Sequence, residues 1–205
     1  MTCFTPTLSV KTLKELVLFS RKYPRYSGFR IFLHALFAAI TAALGIIPGI
    51  VIPAIGVPIS TQSLGAMLSG SILGAKRGAL SQILFLGIVS LGLPVLAGGY
   101  GGLGSILGPS GGFLLGWPIA AFVIGFLFKK NWSNLTNISA FIYIIIGGIL
   151  IMYIIGILWL NIIINISINQ AFIGSMIFIP GDLIKAVIAT TTAMVVKRSY
   201  PIIQD

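Results

Sequence analysis

Asp182 and Lys185 lie three positions apart in a stretch from Asn131 to Val196 that carries no other charge. At that spacing the two side chains share a helical face and can pair. Pro180 stands just before them, and proline suits the first turn of a helix while breaking what precedes it. The pair is therefore expected in the opening turns of a fresh helix. Together the two residues offer a small polar ligand one acceptor and one donor. An ionisable residue within an apolar span costs about 2.5–3.5 kcal/mol to insert and is by default a functional candidate. The structural alternative is an ion pair that fixes the helix, but desolvation of a buried pair can exceed its Coulomb gain. A catalytic role has thinner support: His34 is the only histidine and Cys3 the only cysteine. They cannot assemble a zinc or haem site with ordinary ligands, and no reactive triad is visible. Binding is the preferred reading, with no catalytic residue, metal site or cofactor expected.

The surrounding composition says what must position the pair. Of 205 residues, 57% are hydrophobic and 8% charged, with a mean hydropathy of +1.09. Soluble domains carry about 25% charged residues. Disorder, a coiled coil and a soluble enzyme are excluded, and a polytopic membrane protein is expected. The net charge of +10 then reports orientation in a lipid bilayer, with no nucleic acid as partner. Basic residues cluster at the N-terminus, at Lys76-Arg77, at Lys129-Lys130 and at Lys197-Arg198. Between them, residues 31–75, 78–128 and 131–181 are free of Lys, Arg, Asp and Glu. Each block holds two spans of about 17–25 residues and an internal break.

The expected fold class is all-α integral membrane, with six transmembrane helices near 31–47, 61–75, 79–95, 112–128, 138–160 and 171–196. All 13 basic residues except Lys185 then fall on one side, so both termini are expected in the cytoplasm. Residues 1–30 form a basic cytoplasmic or interfacial segment, 31–198 the membrane domain and 199–205 a cytoplasmic tail. Phe4, Leu13, Leu16 and Val17 suggest a short amphipathic surface helix, with a solvated tail as the alternative.

Small residues mark close approach. Ala35, Ala39 and Ala43 make a smooth stripe on the first span, suited to internal packing or to docking another membrane subunit. Gly70, Gly74 and Gly78 read as internal packing. The outer loops are not plain linkers. Residues 92–117 read GLPVLAGGYGGLGSILGPSGGFLLGW, and such glycines let backbone approach a ligand. Non-helical backbone at membrane depth is buried in protein or lines a cavity. Gln62 places an amide near the same mouth.

Three segments resemble the BioY family, the biotin-binding S components of energy-coupling factor (ECF) transporters. They are VPISTQSLGAMLSGSILGAKRGALS (57–81), the glycine-rich run at 92–117, and FIPGDLIKAVIA (178–189). Span 5 and the first 29 residues contribute little to the resemblance. It implies a six-helix fold in the bacterial plasma membrane that binds biotin near the external face, with biotin as transported substrate. It also implies that the small-residue face of helix 1 docks a transmembrane coupling subunit driven by two cytoplasmic ATPases. The family's ligand-contacting Asp and Lys match Asp182 and Lys185. The former could accept from a ureido N–H, and the latter could donate to the ureido oxygen or to the valerate carboxylate. Gly98, Gly99, Tyr100 and Phe113 carry over with them. The sequence GGYGG after Ala97 lacks a polar side chain that some members have there, leaving one contact to backbone or Tyr100. The competing functions are a solitary gradient-driven vitamin transporter, an S component for a different vitamin, and a membrane-embedded enzyme. The first needs a titratable relay, and the spans hold one acidic residue.

Overall fold

The computed structural model describes residues 27–53 and 55–199. The basic segment before residue 27, with its amphipathic Phe4, Leu13, Leu16 and Val17, and the tail from residue 200 lie outside the described residues. The chain divides into two units, Met1–Phe32 and Leu33–Asp205. The described part of the first unit, residues 27–32, is the opening of helix α1 (Ser27–Leu44).

Beyond α1 the second unit is mostly helical. A hairpin of β1 (Ile50–Ile52) and β2 (Val57–Ile59) is followed by α2 (Ser63–Leu73) and α3 (Ala75–Ser90). A short α4 (Leu103–Leu107) precedes α5 (Gly111–Lys130) and a 3-10 turn at Trp132–Asn134. Then come α6 (Asn137–Ile163), α7 (Ile168–Met176) and α8 (Ile179–Ser199). The helices α5, α6 and α8 are long and apolar enough to cross a membrane. They correspond to the expected spans at 112–128 and 138–160 and to most of the last one.

Two expectations need correction. The stretch 171–196 is not one helix: α7 stops at Met176, and α8 starts at Ile179, one residue before Pro180. The break comes where the proline signal placed it, so Asp182 falls in the first turn of α8. The structure is also not purely helical. In the first outer loop Val57-Pro58-Ile59 pairs antiparallel with Ile50-Val51-Ile52.

Small residues set the packing. Gly74 separates α2 from α3 and adopts φ +85°, a conformation that favours glycine. A Cβ on Gly70 would lie 2.9 Å from the Ala121 Cα, and one on Gly78 would lie 2.6 Å from the Ser69 carbonyl oxygen. Both glycines therefore serve internal packing, as expected. A Cβ on Gly125 would fall 2.2 Å from the Ala75 nitrogen. The α2–α3 junction thus rests directly on the end of α5. In α6 the backbone loosens into a π turn at Ile146–Ile151. There Gly147 closes on Ala120 and Ile124, and Gly148 on Met67. Polar side chains join the first three helices: Gln82 Nε2 of α3 donates to Thr41 Oγ1 of α1 and to Ser69 Oγ of α2, each at 3.1 Å. Such bonds hold helices together where apolarity alone gives no preference for protein over lipid.

The helix directions separate two kinds of charge. Helices α2, α5 and α8 begin near Ser63, Phe113 and Asp182, residues that line one cavity. Their C-terminal ends run toward Lys76-Arg77, Lys129-Lys130 and Lys197-Arg198. Lys197 Nζ donates to the Leu135 carbonyl at 3.1 Å and lies 5.3 Å from the Trp132 ring centroid. The junction against Gly125 and this clamp on the turn after α5 bring the three basic pairs to one end of the helices.

A Gly125→Val substitution should lower the thermal transition of the detergent-purified chain, with an overpacking cost of about 1–3 kcal/mol or more. Gly87, exposed and with nothing within 4 Å of an added Cβ, is the control. There Gly87→Ala should leave the transition unchanged or raise it, by up to about 1 kcal/mol.

Candidate ligand-binding site

A cavity of about 490 Å³ lies among the hairpin, the glycine-rich loop and the N-terminal ends of α2, α5 and α8. The volume is in the ordinary range for small-molecule sites, about 300–1,000 Å³. Asp182 and Lys185 both line it, with side chains 4% and 11% exposed. The carboxylate benefits from the positive end of the α8 dipole. Its Oδ1 accepts from Lys185 Nζ at 2.8 Å and from Ser63 Oγ at 3.2 Å. Its Oδ2 accepts from the Tyr153 hydroxyl at 2.6 Å. An ionised carboxylate has about four lone-pair positions. Three are filled by protein, and the fourth, on Oδ2, is left for a ligand.

Lys185 is equally committed. Besides Asp182 it donates to Ser63 Oγ at 3.0 Å and to the Ser60 carbonyl. An ammonium has three hydrogens, and each has a protein acceptor. Ser63 thus accepts from the lysine and donates to the aspartate, closing a ring of hydrogen bonds between α2 and α8.

Three aromatic rings stand beside this polar group. Phe113, Tyr153 and Phe178 contact one another edge to face, with centroids 5.9 to 6.5 Å apart. This geometry suits the ring quadrupoles. A Cβ on Gly156 would lie 2.4 Å from the Phe113 ring, so the glycine is what admits it. The GPSGG turn has a similar cause. An added Cβ at Gly112 would meet the Trp159 side chain at 2.2 Å, and one at Gly111 would overlap the Ile106 carbonyl oxygen. The Trp159 indole also donates to the Gly108 carbonyl at 2.9 Å. The loop is thereby pinned to α6.

The other sequence candidates fall in different places. Tyr100 lines the cavity and is 59% exposed; Phe113 lines it and is buried. Gly98 and Gly99 do not line it. With φ of +85° and +74° they form the turn that closes with Leu96 N–H donating to the Tyr100 carbonyl at 3.0 Å. They border a separate apolar hollow beside the end of α1. Gln62 reaches the cavity wall, but its amide is already in use. Nε2 donates to the carbonyls of Thr41 and Val95 at 3.1 and 2.9 Å, and Oε1 accepts from Ala97 N–H at 2.8 Å. These bonds fix the glycine-rich loop to α1. Ala35, Ala39 and Ala43 are all exposed, on the side of α1 turned away from buried Leu33, Phe37, Ala38 and Thr41.

Tyr153, Ser60 and Ser63 were not among the expected site residues. A tyrosine deep in an apolar span needs a partner for its hydroxyl, which is the signal that could have found the first. The serines flank Thr61-Gln62. Among the described residues, no three His, Cys, Asp or Glu side chains gather as a metal site.

Comparison with known proteins gives a consistent result. The BioY family model matches residues 21–202. The protein named Biotin transporter BioY from Rhizobium etli is 45% identical over 176 residues, covering 83% of this chain and 94% of that protein. Its namesake from Rhodobacter capsulatus is 44% identical, covering 81% and 92%. A crystal structure described as the S-component for biotin from an ECF-type ABC transporter superposes with a TM-score of 0.79. It is 36% identical and covers 82% of this chain and 90% of that one.

The ring of hydrogen bonds makes a thermodynamic prediction. Removing only the cation, with Lys185→Met, leaves a buried carboxylate uncompensated and should destabilise the chain by about 3–5 kcal/mol. The double variant Asp182→Asn with Lys185→Met should recover most of that loss in the same thermal assay. Additive losses would show that the two charges are not coupled.

Proposed function

The chain belongs to the BioY family, and from that membership we propose that it is the membrane-embedded S component that captures biotin and passes it inward. The curated relatives are named as transporters, and this chain is a transport protein rather than an enzyme. The observation that carries the reading is a cavity of ligand size with a hydrogen-bonded Asp–Lys pair on its wall. Asp182 uses its remaining Oδ2 position to accept a ureido N–H. Lys185 serves the same end of the ligand by orienting the carboxylate through its hydrogen bond to Oδ1. The edge-to-face rings of Phe113, Tyr153 and Phe178 take the apolar flank of the fused rings.

Six spans, with α2 and α3 among them, and both termini in the cytoplasm complete this reading. The grouping of the three basic pairs at the end away from Asp182 supports that orientation. It turns the cavity outward, where biotin arrives, in a multi-pass protein of the bacterial plasma membrane. Energy comes from an ECF coupling module. The exposed face of Ala35, Ala39 and Ala43 receives its transmembrane subunit, and two cytoplasmic ATPases drive the cycle. Small side chains there permit the close backbone approach on which helix association in lipid depends.

Calorimetric titration of the purified chain tests the site. Asp182→Asn should weaken biotin binding about 10- to 100-fold, the loss of a hydrogen bond to a charged group. Unchanged affinity would remove Asp182 from the site. Tyr153→Phe should cost about three- to tenfold, since it loosens the carboxylate without removing it. On the outer face of α1, Ala39→Leu should leave biotin affinity unchanged and abolish co-purification with the coupling subunit. Retained co-purification would place the docking face elsewhere.

A further inference from the structure

The two ends of the cavity differ in kind. At its floor Asp182 is 3% exposed, and it and Lys185 are the only charged residues among the described residues that line the cavity. At its rim Val51 is 48% and Tyr100 59% exposed, and the neighbouring wall of Gly56, Gly101 and Ser105 is uncharged. Biotin carries a carboxylate at the end of its acyl chain, remote from the ureido ring. A carboxylate taken into the cavity would need a cation or several donors to offset its desolvation. Lys185 has none to give, because its three hydrogens already go to Asp182, Ser63 and the Ser60 carbonyl. The same ammonium sits beside the carboxylate that binds the ring, not at the rim.

We infer that the site reads the ring end of its ligand and leaves the acyl carboxylate unread in water, so that carboxyl-blocked biotin derivatives, esters and lysyl amides, are also ligands of this chain. The inference rests on biotin being the ligand, and it extends the substrate class to biotin still joined to the side chain of a lysine. An interaction the site does not make cannot be lost when the carboxylate is esterified. The exposed rim leaves room for a longer substituent to pass between the hairpin and Tyr100.

The test is calorimetry on the full chain in lipid nanodiscs with three ligands: biotin, biotin methyl ester and Nε-biotinyl-lysine. The ester removes the charge, and the amide also lengthens the tail. Both should bind within about fivefold of biotin. Tight biotin binding with an ester about 50-fold weaker would overturn the inference, because the carboxylate would then have a partner in the site. Lys185→Met supplies a second readout: the ratio of acid to ester affinity should equal that of the unsubstituted chain. A preference for the acid that vanishes only in this variant would assign Lys185 to the carboxylate and contradict the inference. Failure of the unsubstituted chain to bind biotin at all would refute the proposed function, and this inference with it.

Discussion

The structure turns on one constraint: a carboxylate buried in an apolar protein must have every polar neighbour it needs. Asp182 obtains its partners from three helices, with Lys185 on its own α8, Ser63 on α2 and Tyr153 on α6. No local segment could supply them. Bringing these side chains together fixes where α2 begins, how α6 is rotated and where α7 must give way to α8. The cost of burying the pair is met by this geometry, and the geometry leaves one lone-pair position of the carboxylate available beside a cavity.

Close packing of small residues makes that convergence possible. The α2–α3 junction lies against Gly125, and the π turn of α6 brings Gly147 and Gly148 onto α5 and α2. A π turn rotates the remainder of its helix relative to a regular α-helix, and Tyr153 and Gly156 lie directly after it. Gly156 in turn admits the Phe113 ring. The wall of the site thus rests on glycines that do not themselves line the cavity. The loops over the site are tied down in the same manner, by Gln62 at one edge and Trp159 at the other. A binding subunit needs such preorganisation if ligand energy is not to be lost in ordering loops.

Much of this could be read from the chain. The pair stood out because it interrupts a long uncharged stretch, and Pro180 marked the start of its helix. The basic pairs marked helix ends, at the start of α3 and in the last turns of α5 and α8, and the three long apolar helices followed from the uncharged blocks between them. Other features leave weak marks. Gln62 was visible as a polar residue near the mouth, but its partners are backbone atoms of Thr41, Val95 and Ala97, which no side-chain pattern identifies. Tyr153 sits in a span so uniformly apolar that periodicity assigns it no face, and its aim depends on a π turn marked only by Gly147-Gly148. Gly98 and Gly99 entered only through the family resemblance. Outside the cavity lining, their positive φ angles shape the turn that presents Tyr100. The bounds 171–196 took in two helices, because hydropathy does not fall at Ile177-Phe178, where α7 stops, and Pro180 alone marks the break.

The most direct measurement is a structure of this chain with biotin bound. A ureido nitrogen is predicted about 2.7–3.2 Å from Asp182 Oδ2, with the fused rings against Phe113 and Phe178 and the acyl chain directed toward Tyr100 and the exposed rim. A ligand bound with its carboxylate on Lys185 and its ring at the rim would contradict this placement.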